Sequence, residues 1–219
     1  IGGVAIGTVI MNTLYWLFGF FRTNTTGQSA IAHGRNSESE MAKSLIQPFV
    51  LATVVGLAFI VLQPLIWLGA QHLLSPEPHV AEQAHTYFAI LIWGAPFVLL
   101  NYTLIGWLMG QSKIKATLIT QIFGNVLNIV LDIVFVVGFD MAVGGVAVAT
   151  LIAQITTFGI GLRLVQRSTG FGIRQYVCFA KMTGAELKAI VSSNTDLLLR
   201  TVCLLTLYNS MARVGSSLG

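Results

Sequence analysis

The sequence predicts an all-α fold, a polytopic bundle of membrane-crossing helices, on three observations. Of the 219 residues, 55% are hydrophobic and only 9% are charged, where an ordinary soluble domain carries roughly 25% charged residues. So few charges cannot coat a water-soluble globule. Long uncharged windows alternate with short charged ones, as happens when a chain crosses a bilayer repeatedly. The apolar runs reach the ~20 residues that a helix needs to cross the hydrocarbon core. They lack the alternation of barrel strands, so helices that satisfy their own backbone groups are the remaining spanning element.

The spans follow in order. Residues 1–21, 49–70, 87–110 and 141–162 carry no Asp, Glu, Lys or Arg, and 116–139 carries only Asp132. A sixth run, 189–211, holds Asp196 and Arg200. Ser37 with Glu40 and Thr183 with Glu186 have capping-box spacing before a span, and Ser75-Pro76 offers an N-cap followed by proline at the first helical position. Pro64, Pro96, Gly94, Gly106 and Gly110 allow kinks and close helix approach.

The connectors predict an orientation. Segments 22–48, 111–115 and 163–188 hold ten of the twelve Lys and Arg residues, whereas 71–86 and the turn around Asp140 hold none. Basic and non-basic connectors therefore alternate strictly, and the positive-inside rule places the basic ones in the cytoplasm and residue 1 outside. The chain begins with Ile and no cleavable signal. An outside N-terminus then implies a missing preceding helix, and the abrupt end at Gly219 implies a fragment at both ends.

Other chemistries find little support. The net charge of +4 comes without a basic helix or aromatic-interleaved stripe, which argues against nucleic acid. Cys178 and Cys203 read as free thiols, without metal-ligand spacing. His72, His79 and His85 lie on or beside the outer connector as solvated loop histidines rather than a metal site. No HExxH, GxSxG, P-loop or CxxC pattern occurs, so neither an enzyme nor an ATP motor is expected, and no cofactor.

Polar side chains inside spans are costly enough for their positions to carry information. Gln121, Asn125, Asn128 and Asp132 recur every three or four residues and share one helical face. Thr150, Gln154 and Thr157 repeat the spacing on the next span. The short connection between those spans makes them antiparallel neighbours, so two polar stripes are expected to face one cavity. Asp132 is the functional candidate, a membrane-embedded carboxyl group able to exchange a proton or, when ionised, to hold a cation. Asn125 and Asn128 have two open readings, cavity groups or interhelical hydrogen bonds worth about 1 kcal/mol each. Asp196 and Arg200 are four residues apart and read as a structural ion pair along one helix face.

Several runs together resemble the multidrug and toxic compound extrusion (MATE) transporters, in particular the DNA-damage-inducible, DinF-like branch. They are Phe18-Gly19-Phe20-Phe21-Arg22 with Thr25-Thr26-Gly27-Gln28, Gly94-Ala95-Pro96 through Asn101 to Gly106-Trp107, Asn128 to Asp132, Gly144 to Thr150, and Asp196 to Arg200-Thr201. The resemblance covers nearly the whole chain. It implies that residues 1–165 are similar to the second through sixth helices of an N-terminal lobe whose first helix is missing. Residues 163–188 then correspond to the cytoplasmic link between lobes, and 189–219 to a truncated seventh helix opening the C-terminal lobe.

By the same resemblance, Asn128, Asp132 and Thr150 match the family's N-lobe proton or cation site, and Asn101 a nearby polar position. Gln121, Asn125, Gln154 and Thr157 are expected to line the cavity around it. The implied function is an antiporter of a bacterial inner membrane, coupled to protons or sodium and exporting amphipathic or cationic compounds. Its expected partners are the lipid bilayer, those small molecules, and the absent helix and lobe. A flippase of lipid-linked precursors would need a more basic cavity, and only Arg200 supplies such a charge within the spans; an inactive fragment is the other alternative.

Overall fold

The computed structural model describes residues 2–74 and 77–169, together with positions 188, 192, 195, 196, 199, 200 and 203. Among the described residues the regular structure is helical: α1 (Gly2–Leu17), α2 (Phe20–Gly34), α3 (Glu38–Val61), α4 (Gln63–Leu74), α5 (Pro78–Leu91), a 3₁₀ turn (Ile92–Gly94), α6 (Ala95–Gly110), α7 (Ile114–Asp132), a π-helical segment (Ile133–Gly138) and α8 (Val143–Thr169). Five helical stretches are long and apolar enough to cross a membrane: Gly2–Gly34, Glu38–Val61, Pro78–Gly110, Ile114–Gly138 and Val143–Arg167.

These stretches differ from the predicted spans at their ends. The expected connector 22–48 is mostly helix, because α2 continues past Arg22 and buries Phe21, Thr25, Ser29 and Ala32. Hydropathy marks where lipid ends, whereas these buried small and polar positions keep the helix going beyond it. At 1.5 Å per residue the 33 residues of Gly2–Gly34 extend about 50 Å, well past a ~30 Å hydrocarbon core. The second predicted span, 49–70, is likewise shifted. Its helix begins at Glu38 and ends at Val61, and α4 restarts just before Pro64, whose missing N–H is tolerated in a first turn.

The cap at Ser37 forms as expected, with its hydroxyl accepting from the Glu40 N–H at 3.3 Å. The Glu40 carboxylate instead forms a salt bridge with Arg35 at 3.3 Å. Ser75-Pro76 and Thr183-Glu186 lie outside the described residues; α5 starts at Pro78 with Glu77 as N-cap. His72 is on α4 and His79 and His85 are on α5, and the His85 ring meets Trp67 edge-on at 4.9 Å. The expectation of loop histidines is thus corrected: the connector is shorter than hydropathy suggested, because polar residues after Pro78 remain helical. Asp196 and Arg200 are exposed helical positions, and the expected ion pair between them is not among the described contacts. Of the two cysteines, Cys203 is free and exposed, and Cys178 lies outside the described residues.

The hub is the α5–α6 stretch. Leu99, Leu104, Trp107 and Leu108 of α6 are fully buried, as expected of a helix that is apolar all round. α6 packs on α2, α3 and α8, and α5 on α1 and α8. One core joins α1, α3, α5 and α6 around Phe88 and Leu99. A smaller one joins Ala42, Leu45, Trp107 and Val165 from α3, α6 and α8.

The α2–α6 approach is close because Gly106 and Gly110 present no side chain. A Cβ on Gly106 would meet the Arg22 carbonyl, and one on Gly110 would meet Ser29 and the Thr26 carbonyl. This small-xxx-small spacing lets two backbones touch. Around it runs a buried polar chain. Ser29 donates to the Trp107 carbonyl at 2.9 Å, Gln111 Nε2 donates to Ser29 Oγ at 2.9 Å, and the Trp107 indole donates to the Met41 carbonyl at 3.1 Å. These contacts gather the ends of α2 and α6, the start of α3 and the end of α8 at one end of the bundle, where the basic connectors lie.

Candidate functional site

α7 is the least buried of the five stretches, with 6% of its most apolar window inside the structure, and its main partner is α8. One close approach is at Gly124, where a Cβ would meet the side chain of Thr157. Gly145 makes a second approach, to Phe135 and Met141. With backbones so close at these points, the polar stripes of α7 and α8 converge.

They converge on a cavity of about 350 Å³ between α6, α7 and α8. Each helix supplies four lining positions at the spacing i, i+3, i+4, i+7: Val98, Asn101, Tyr102 and Ile105 from α6; Gln121, Gly124, Asn125 and Asn128 from α7; Thr150, Ala153, Gln154 and Thr157 from α8. Seven of the eight predicted coupling and cavity residues therefore meet in one place. The eighth, Asp132, is one turn beyond Asn128 at the end of α7 and is not part of the lining.

Asp132 stands where regular α-helix gives way to the π segment, a helical irregularity frequent at functional sites. It is half-buried, and its Oδ1 is enclosed with no hydrogen-bond partner among the described residues.

The hydrogen bonds give the cavity a chemical sign. Asn128 Nδ2 donates to Thr150 Oγ1 at 3.2 Å, and Thr150 donates in turn to the Val146 carbonyl at 2.9 Å. Thr157 donates to the Ala153 carbonyl at 2.6 Å. Asn101 Nδ2 donates to the backbone carbonyl of Gln154 at 3.1 Å. These four donors are satisfied within the protein. By contrast, among the described residues the side-chain oxygens of Asn101 and Gln154 are buried without a donor, that of Gln154 packed against Gly94, and no Lys, Arg or His lines the cavity. Unsatisfied acceptors in a site without basic side chains suit a proton, a cation or an N–H donor.

Sequence reasoning did not single out Tyr102, Gly124, Ala153, Val98 or Ile105. Gly124 and Ala153 had a signal: each falls inside a polar stripe at the same helical spacing, where a small residue lets the neighbouring helix come close. Val98 and Ile105 carry none, since an apolar residue facing a cavity reads like one facing lipid.

The comparisons agree with this geometry. The model of the MatE family matches residues 1–134. DNA damage-inducible protein F of Escherichia coli (strain K12) is 35% identical over 220 residues, covering 100% of this chain and 48% of that protein. The multidrug resistance protein MdtK of Klebsiella pneumoniae (strain 342) is 29% identical, covering 99% of this chain and 48% of that protein. The chain thus spans about half the length of these curated relatives.

Among solved structures, MATE in the bent conformation superposes with a TM-score of 0.76 at 21% identity, covering 92% of this chain and 45% of that one. An inward-facing multidrug resistance MATE family transporter gives 0.74 at 21% identity, covering 87% and 43%. An all-helical membrane bundle, a polar cavity where the motifs place one, and a family match over more than half the residues lead to one conclusion: the chain belongs to the MatE family, whose members are transporters and not enzymes.

Proposed function

We propose that this chain forms the cation-handling half-bundle of a longer antiporter, which exports amphipathic or cationic compounds across a bacterial inner membrane in exchange for protons. The basic end of the bundle faces the cytoplasm. The observation that carries this reading is the cavity lined by amides and hydroxyls and, among the described residues, by no basic side chain, with Asp132 one turn beyond Asn128. The flippase alternative calls for a basic cavity and gains no support from this lining.

The coupling step follows from the hydrogen bonds. Asn128 gives its amide proton to Thr150, while Asp132 Oδ1 has no donor. An ionised Asp132 competes for the Asn128 amide and draws it away from α8; a protonated Asp132 leaves the Asn128–Thr150 bond in place. Proton binding therefore strengthens the link between α7 and α8, and the two protonation states favour different arrangements of these helices. A cationic compound reaching the cavity favours the ionised state, so drug and proton displace each other.

The test is efflux by the full-length transporter in liposomes under an imposed pH gradient or an imposed sodium gradient. The expected result is pH-driven efflux that falls at least tenfold in Asp132→Asn. Pumping by that variant at the wild-type rate would remove Asp132 from coupling, and efflux driven only by sodium would replace the proton with sodium.

A further inference from the structure

We propose that the groove between the α6–α7 turn and the end of α8 binds an anionic phospholipid, with Lys113 and Lys115 holding the phosphate and the wall formed by Ile114, Ile119 and Leu164 holding the start of an acyl chain. The groove encloses about 490 Å³, and its lining has two unlike ends, one of Ser112 and the two lysines, the other aliphatic. Both lysines are exposed and, among the described residues, no carboxylate lines the groove. Arg163 and Arg167, both exposed, sit one residue before and three after Leu164 on α8, adding positive charge at the same end of the bundle.

The turn that carries the lysines is held in place. Gln111 is buried and donates to Ser29 Oγ at 2.9 Å and to the Ser29 carbonyl at 3.1 Å, tying the turn to α2. Ser112 takes the left-handed conformation with φ 57°. The Lys113 N–H reaches the Leu108 carbonyl at 2.8 Å, and the Lys113 carbonyl accepts from the Thr117 hydroxyl at 3.3 Å. The two charges are thus presented by a braced turn, so a ligand does not bear the cost of ordering it.

Charge complementarity selects an anion, and the aliphatic wall selects one with a tail. Ile114 and Ile119 are 64% and 53% exposed, and the wall runs on into the outward apolar face of α7, where acyl chains lie. A free phosphate would use only half of this groove. Basic pockets between helices at the cytoplasmic surface are general anchor points for anionic head groups. The site lies beyond the transport cavity, and binding at it can be read without any measurement of efflux.

The experiment is lipid retention by the full-length transporter, followed by native mass spectrometry after purification from mixed phosphatidylcholine and phosphatidylglycerol membranes. Unmodified protein is expected to keep phosphatidylglycerol in preference to phosphatidylcholine, with a preference that weakens as salt rises. Replacing both lysines, Lys113→Ser with Lys115→Ser, is expected to lower phosphatidylglycerol affinity roughly 30-fold, and Lys113→Arg with Lys115→Arg to restore it. Leu164→Asn is expected to weaken retention while leaving the salt dependence in place. Equal retention of phosphatidylcholine by the unmodified protein, or unchanged phosphatidylglycerol retention in the double serine variant, overturns the proposal. Displacement by millimolar inorganic phosphate as readily as by excess lipid also overturns it, since the tail then contributes nothing.

Discussion

At the scale of single residues, the bundle depends on where side chains are missing and where buried polar groups find each other. Gly106 and Gly27 form a controlled pair. A Cβ on Gly106 meets the backbone carbonyl of Arg22, which cannot swing aside, whereas a Cβ on Gly27 meets nothing within 4 Å. Gly106→Ala should cost about 1–3 kcal/mol through overpacking. Gly27→Ala, on an exposed face of α2, should be neutral or stabilising by up to about 1 kcal/mol, because alanine is the better helix former. Thermal unfolding of the purified protein in detergent, followed by tryptophan fluorescence, separates the two; equal midpoints would show that α2 and α6 are not held by contact at Gly106. Gln111→Leu removes the donor to Ser29 and leaves buried acceptors unpaired, so the same assay should register a loss of about 1–3 kcal/mol.

At the scale of elements, the π segment governs how Asp132 is presented. Phe139 N–H bonds to the Val134 carbonyl at 3.1 Å, five residues back, so the segment holds one more residue than an α-turn would. Beyond it the chain is pinned, because Met141 packs on Gly145 of α8. Deleting Val136 restores α-register and, with the far side fixed, rotates Asp132 by about 100° relative to α8. The deletion variant is expected to insert normally but to lose proton-driven efflux, measured in the same liposomes. Wild-type efflux would show that the wide turn merely accommodates an extra residue. The polar face that ends at this segment was legible in the sequence, because lipid penalises Gln121, Asn125, Asn128 and Asp132 individually and their spacing lines them up. The π turn itself was not legible: Ile133 to Val137 are all apolar and read as uninterrupted helix. The helical stretch after Arg22 was hidden for the opposite reason, since Thr25, Ser29 and Ala32 are buried against α3 and α6 by packing that hydropathy does not register.

At the scale of the whole molecule, charge and packing point the same way. The turns at Gly34 and Lys113 and the end of α8 carry basic residues, and contacts through Gln111, Trp107 and Val165 bring these segments to one end of the bundle. The segments around Glu77 and Asp140, with no lysine or arginine, join the helices at their other ends. The proposed orientation puts the first end in the cytoplasm, as the positive-inside rule expects, and single cysteines in a protein with Cys178 and Cys203 replaced by serine can test this. Gly34 is exposed with nothing within 4 Å of an added Cβ, and Glu77 and Asp140 are exposed, so a thiol at each leaves the packing alone, with a local backbone cost at Asp140, whose φ is 54°. In intact cells a membrane-impermeant maleimide is expected to label Glu77→Cys and Asp140→Cys and to spare Gly34→Cys, which should react only after permeabilisation. The reverse pattern would turn the bundle over. It would place the Lys113–Lys115 groove in the outer leaflet and bring Asp132, which lies toward the Asp140 end of α7, nearer the cytoplasm, reversing the side from which the proposed coupling proton would arrive.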